Sequence, residues 1–246
     1  MAKVICIANQ KGGVGKTTTA INLAASLAAA QKRTMFIDFD PQANATSGVG
    51  VDKEEVRRSI YDALIGEADI ADIKIDVETE ALGGFLSVVP ATPELTGAEV
   101  ELLHLENREW RLKQAIEKVA HEYDFILIDC PPSLSILTVN ALTAADSVLI
   151  PVQCEYYAME GLGQLQRTIS LIRQRLNPEL KVEGYLLTMF DSRNRICHVV
   201  ANELRAYFNE DVFESVIFRN VRLAESPSHG KPIILYDIKS TGAEGY

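Results

Sequence analysis

"NQKGGVGKTTTAINLAA" spans residues 9–25, directly after the apolar run "KVICIA" at residues 3–8. A short β-branched run, a glycine turn and an alanine-rich stretch read as strand, loop and helix. Successive backbone N–H groups closed by a helix N-terminus form an anion nest, so the segment reads as a phosphate-binding loop. Gly12, Gly13 and Gly15, with Val14 among them, let the backbone approach phosphate oxygens closely. Lys16 is spaced to reach the β- and γ-phosphates of ATP, Thr17 to ligate Mg²⁺ and Thr18 to donate to the α-phosphate. The pattern G-x-x-x-x-G-K-[ST] asks for glycine where this chain has Gln10, and it does not ask for Lys11. A dinucleotide-binding reading fails, because Thr18 occupies the last glycine position of G-x-G-x-x-G.

Outward from the loop, apolar runs alternate with helical patterns. Strands are expected at "TMFIDFD" (34–40), "FLSVVPA" (85–91), "DFILIDCPPS" (124–133), "SVLIPV" (147–152), "EGYLLTMFD" (183–191) and "VFESVIF" (212–218). Helices are expected at 16–30, 53–65, 94–105, 108–121, 135–144, 159–176 and 195–208, with 41–52 as loop. Most strands are apolar on both faces, which implies a sheet covered on both sides. The expected fold is a single-domain α/β P-loop NTPase over residues 1–246. Its sheet is mostly parallel and twisted, with about seven or eight strands and helices on both faces.

A P-loop ATPase needs an acid near the metal, at the end of a neighbouring strand. "FILID" supplies Asp129 after an apolar run, as a Walker B segment does. "FIDFDPQANAT" supplies Asp38 and Asp40 at a second strand end, where parallel sheets open their ligand crevice. Thr17, Asp38 and Asp129 are the candidate metal ligands. Asp40 is the candidate for orienting a water toward the γ-phosphate.

Composition narrows the alternatives. Hydrophobic residues make up 47% and charged residues 24% of the 246 residues, as in a soluble globular protein. No run reaches the roughly 18–20 apolar residues of a membrane span, and the start lacks a secretory signal pattern. Cys6, Cys130, Cys154 and Cys197 form no C-x-x-C pair and read as buried or half-buried free thiols of a cytoplasmic protein. Net charge is −10, with 17 acidic and 8 basic residues in 51–122 but 9 and 8 in 181–246. The excess acid is thus confined to the middle, and a local basic patch elsewhere is compatible with it. Trp110, Tyr156 and Tyr157 read as packing residues. His104, His121, His198 and His229 have no metal-ligand spacing, and loop hydrogen bonding is the reading for His229.

"KGGVGKTT", "DFDPQANAT", "LIDCPPS", "PVQCEYYAMEGLGQL" and "RNVRLAESPSHGKPI" together resemble the ParA/Soj branch of the deviant Walker A ATPases, in order and over essentially the whole chain. The resemblance implies an ATP-driven homodimer closed face to face over two nucleotides, with Lys11 reaching the partner's phosphates and Asp40 supporting hydrolysis. Lys11, Lys16 and Asp40 are then the catalytic set. It also implies non-specific binding of double-stranded DNA and a nucleoid-associated location. Hydrolysis would be stimulated by a ParB/Spo0J-type protein. The positions matching the family's DNA-binding arginines are Arg193, Arg219 and Arg222, with Arg195 nearby. Phe218 stands where the family's Ile-Pro-Arg-Asn has proline, and Phe218 and Asn220 are the candidate base-pocket residues. Members of the family usually continue past the segment matching "GAEGY" into a further helix, whereas this chain ends at Tyr246.

Two other readings use the same loop. A membrane-surface ATPase of the MinD kind needs a basic amphipathic C-terminal helix, and "LYDIKSTGAEGY" is short and polar. A metal-cluster ATPase like the nitrogenase iron protein needs cysteines that bridge a dimer, but Cys130 follows Asp129 directly and reads as lying inside a strand.

Overall fold

Successive residues of each apolar run face opposite ways. The structure, a computed structural model that describes residues 1–156 and 158–246 (Glu160 by its backbone only), sorts them into two cores. On β1 (Lys3–Ile7) and β5 (Phe125–Asp129), Val4, Cys6, Ile126 and Ile128 enter one core. Ile5, Ile7 and Leu127 enter the other. The remaining strands are β2 (Thr34–Asp38), β3 (Ile75–Asp76), β4 (Leu86–Val89), β6 (Ser147–Gln153), β7 (Lys181–Phe190) and β8 (Val212–Phe218). All eight form one sheet in the order β3-β4-β2-β5-β1-β6-β7-β8, within the expected strand count. Every pairing is parallel except β3 with β4. From β1 the chain crosses to β2, works outward, and returns to insert β5 between β2 and β1. Asp129 is thereby in register with Ile7 on one side and with Asp38 on the other.

The helix Lys16–Ala29 covers the second core with Ala20, Ile21, Ala24, Ala25 and Ala28. Small residues bring its axis close to the sheet, so its N-terminus is fixed relative to the strand ends. Asn22, 2% exposed, bolts it on the other side: its amide donates to Thr18 O (2.8 Å) and its Oδ1 accepts from Ile233 N (2.6 Å).

Several expectations about elements are corrected. The helix expected over 53–65 begins only at Ile60. Ser59 and Asp62 form a capping box there, and the charged residues before it carry no apolar stripe to bury. Within 41–52, Asn44–Gly48 is helical rather than loop, held by the Thr46 amide donating to Asp38 (2.7 Å). The helix expected at 94–105 is α-helical over Leu95–Glu101, and the one at 108–121 over Arg111–Glu117. All four cysteines are buried free thiols. Tyr156 is 76% exposed rather than packed, Trp110 is half-buried, and Tyr157 lies outside the described residues. Among the described residues, no helix is long and apolar enough to cross a membrane.

Asn22→Ala leaves the buried Ile233 amide without its partner, while the Thr18 carbonyl keeps its bond within the helix. The expected cost is about 2 kcal/mol, a fall in Tm of roughly 4–8 °C for a chain of this size, read by thermal denaturation.

Candidate active site

Loop geometry comes from its glycines. Gly13 and Gly15 hold φ of 74° and 84°, the left-handed region that favours glycine. A side chain at Gly12 or Gly13 would meet nothing within 4 Å, so the space over the loop is open. Gly15 is the N-cap of the Lys16–Ala29 helix; it gives no side-chain cap, and the first turn holds no acidic residue. The amides of that turn therefore keep their partial positive charge for an anion.

Long-range bonds hold the loop in shape. Asn9 donates to Pro151 O (2.7 Å) and accepts from Lys11 N (3.0 Å). From β7, the buried Thr188 hydroxyl donates to Val14 O (2.8 Å). Gln10, where the common pattern has glycine, has its Nε2 buried without a hydrogen-bond partner among the described residues. Lys16 is 7% exposed and donates to Lys11 O at 3.2 Å. Burial pulls its ammonium below the usual lysine range, against the opposing attraction of Asp129.

Asp129 is fully buried, and neither carboxylate oxygen has a hydrogen-bond partner of regular geometry. Burial raises its pKa well above the usual range, with the Asp38 charge next; the nearby Thr17 hydroxyl offsets this in part. An orphaned buried carboxylate beside a hydroxyl and a buried ammonium is an arrangement that a cation completes.

Asp38 and Asp40 are brought to the same rim but differ. Asp38 accepts from the Thr46 amide and hydroxyl (2.7 Å each) and from Asp40 N (3.2 Å). Thr46 in turn accepts from Ala91 N (3.0 Å). Both Asp38 oxygens are thus engaged inside the chain, and burial still pushes its pKa to about 6. Asp40 is half-buried, and within its carboxylate only Oδ1 is engaged among the described residues, by Gln42 N (3.0 Å).

Phe218 and Asn220 line a cavity of ≈200 Å³ beside Gly15 and Thr18, walled also by Met189 and Tyr246. Asn220 contributes less than its position suggests. Its Oδ1 caps the helix Val221–Glu225 through Arg222 N (2.7 Å) and Leu223 N (3.3 Å), and its Nδ2 donates to Thr241 (2.8 Å). Lys11 extends to Glu155 of its own chain (2.8 Å).

The arginine candidates fall at the carboxyl ends of β7 and β8. Arg219 N donates to Phe190 O (3.0 Å), beside the turn that carries Arg193 and leads into the helix Arg195–Phe208. Arg193 pairs with Asp191 (2.8 Å), which pulls that carboxylate down to about 2. Arg222 pairs with Glu225 (3.0 Å) and Asp237 (3.5 Å). Among the described residues, Arg195 and Arg219 form no ion pair.

Reading the sequence missed Thr188, Met189, Thr46, Glu155 and Tyr246. Nothing local marks Thr188, which lies 174 residues from the loop it braces.

A family model described as an AAA domain matches residues 2–182. The chain is 61% identical, over its whole length, to the chromosome partitioning protein ParA of Myxococcus xanthus (strain DK1622), spanning 86% of that relative. It is 56% identical to the sporulation initiation inhibitor protein Soj of Bacillus subtilis (strain 168), covering 100% of this chain and 96% of that one. A solved structure of cobyrinic acid a,c-diamide synthase from Mycobacterium smegmatis, with bound ADP and magnesium, superposes with TM-score 0.86. It is 36% identical and covers 100% of this chain and 91% of that one.

Asp129 and Asp38 hold their protons more tightly folded than unfolded. Their contribution to stability therefore grows as pH falls, for Asp38 between about 6 and its unfolded value of 3.8. Without nucleotide or metal, Tm is expected to rise from pH 7.5 to pH 5.5. Asp129→Asn is expected to raise Tm at pH 7.5 by a few °C, on the order of 1 kcal/mol, and to flatten that pH dependence. A lower Tm for this variant in scanning fluorimetry would contradict the unpaired state of Asp129.

Proposed function

The chain belongs to the ParA/Soj family of chromosome-partitioning ATPases, and from that premise we propose that it is an ATP-dependent DNA-partitioning switch. The whole of residues 1–246 is read as one deviant Walker A ATPase domain. The observation that carries the reading is the uncapped helix N-terminus at Gly15 with Lys16 beside the unpartnered Asp129. ATP is assigned to this site, and the M. smegmatis relative with ADP and magnesium supports that assignment.

The phosphates are assigned to the amides of Gly12–Thr18, with Lys16 on the β- and γ-oxygens. The base is assigned to the cavity at Phe218 and Asn220. Thr17 and Asp129, with Asp38 behind them, are the residues that would hold Mg²⁺, and the orphaned Asp129 oxygens fit a cation. Magnesium bound there supplies neutralisation of phosphate charge. Asp40, with its carboxylate half engaged, is assigned to orient the attacking water. Closure of two copies face to face would carry Lys11 to the partner's phosphates, as a cation supplied in trans. Its resting contact with Glu155 joins side chains 34% and 50% exposed. Such a pair is worth about 0–1 kcal/mol, so its release opposes dimerisation only weakly.

Non-specific double-stranded DNA is assigned to the rim of Arg193, Arg195, Arg219 and Arg222, as phosphate contacts that fall with salt. Hydrolysis, stimulated by a ParB/Spo0J-type partner, releases the dimer. The names of the relatives at 61% and 56% identity favour this over the MinD-like reading.

Lys11→Ala is expected to keep nucleotide binding by the single chain and to lose ATP-dependent dimerisation, with hydrolysis down at least about 10²-fold. Normal turnover in this variant would remove Lys11 from the trans role. Asp40→Ala is expected to keep ATP and DNA binding while turnover falls by a similar factor.

Combined Arg219→Glu and Arg222→Glu substitution is expected to abolish DNA retention in a gel-shift assay and leave ATP affinity intact. The reading as a whole is tested by ATPase rates alone, with DNA, and with DNA plus a ParB-type protein. It fails if no such protein stimulates turnover.

A further inference from the structure

Within β7, Met189 holds a φ of 51°, in the left-handed region that a residue with a side chain rarely adopts. The strand is irregular there. Leu187 pairs with Val216 and Phe190 with Phe218, so β7 uses three steps where β8 uses two. This is a bulge on β7, a device that re-aims side chains and recurs beside functional sites.

Four consecutive residues then touch four different things. Thr188 donates to the Val14 carbonyl of the phosphate loop (2.8 Å). Met189 walls the base cavity, and its Cε and the Thr188 side chain each lie 3.8 Å from where a Cβ on Gly15 would sit. Phe190 packs edge-on against Phe218 (5.8 Å) and His198 (5.1 Å), and its carbonyl accepts from Arg219 N (3.0 Å). Asp191 holds Arg193. Met189 and Phe218 both wall the ≈200 Å³ cavity, and Phe190 packs against Phe218 and follows Met189 in the chain.

We propose that the Met189 bulge couples the nucleotide cavity to the arginine rim, with Phe190 as the positioning residue that carries the change across. The inference rests on the reading that the cavity takes the nucleotide base. Filling the cavity shifts the balance between the bulged pairing and its neighbours. Because the Phe190 carbonyl and ring hold Arg219 and Phe218, that shift resets the backbone from which Arg193, Arg195 and Arg219 project. The partners named here are all side chains and amides of this chain, so the coupling needs no second subunit.

Hydrogen–deuterium exchange, with and without a saturating non-hydrolysable ATP analogue and Mg²⁺, reads the coupling at amides 190–195, which do not line the cavity, whereas Phe218, Arg219 and Asn220 do. In the unsubstituted protein the analogue is expected to slow exchange there by on the order of 3- to 30-fold, the range of ordinary intersite coupling. Phe190→Leu, which leaves the cavity wall in place, is expected to keep analogue affinity and to lose most of that response. Met189→Gly, which accepts positive φ without strain, is expected to give the same exchange in both states even at saturation.

A full response in Phe190→Leu, or no response in the unsubstituted protein, overturns the proposal. Should Met189→Gly fold poorly, Phe190→Leu decides alone. DNA retention is measured on the same samples. A rim that responds to the analogue in a protein that binds no DNA at low salt would sink the partitioning reading and leave the coupling standing.

Discussion

The crevice at the head of the Lys16–Ala29 helix is electrostatically unfinished, and the fold is arranged around that fact. A buried ammonium at Lys16, a buried carboxylate at Asp129 with no regular hydrogen bond, and a helix N-terminus with no cap share one crevice. Each would be a defect in an ordinary core. Together they are complementary to an anion and a cation bound side by side. Burial that raises the cost of these groups also raises what a bound ligand would return, because binding to the folded chain alone is added stability.

The parallel sheet is the means of that burial. Only strands covered on both faces end deep enough to take Asp38 and Asp129 out of water, and only the insertion of β5 between β1 and β2 puts the two in register. Bonds over long sequence distances then stop the crevice from collapsing onto its own charges. Asn9 is tied to Pro151, Val14 to Thr188, and Thr46 links Asp38 to Ala91. Asp38 is the member of the acid pair whose hydrogen bonds are already satisfied within the chain. That difference assigns it to shaping the crevice around Asp129 more than to presenting a free oxygen.

What could be read in advance follows from how local each signal is. The phosphate loop, Asp129 and the alternation of strands with helices depend on spacing within short windows, and β8 runs over the residues expected, Val212–Phe218. The helix expected over 53–65 forms only in its second half, because the apolar spacing of Ile60 and Leu64 does not extend into the charged residues before them, while the Ser59–Asp62 box that starts it is itself a short-range signal. Asn220 lies on the cavity as its motif implied, but its amide is engaged in capping, a role set by the helix that follows and by Thr241. Thr188 and Met189 were invisible. One acts on a loop 174 residues away, and the other is marked only by its backbone angle. A strand sequence such as "YLLTMFD" gives no hint of a bulge, because every residue in it is compatible with regular extension.

Three of the five cations assigned to partners are held at rest by carboxylates of the same chain: Lys11 by Glu155, Arg193 by Asp191, Arg222 by Glu225 and Asp237. All these pairs are at least partly exposed, so each is cheap to exchange. A chain of net charge −10 meets a polyanion against an unfavourable long-range field, and paired arginines add nothing to offset it. In the proposed dimer, doubling the surface would double that repulsion as well as the rim. For a proposed DNA switch this is useful, because binding then depends on freeing several weakly held cations together. A modest shift at the rim, multiplied over the arginines of two subunits, changes affinity steeply where a single strong contact would not. In the proposed switch, weak pairs in the resting state would let a small change at a nucleotide become a large change in retention on DNA.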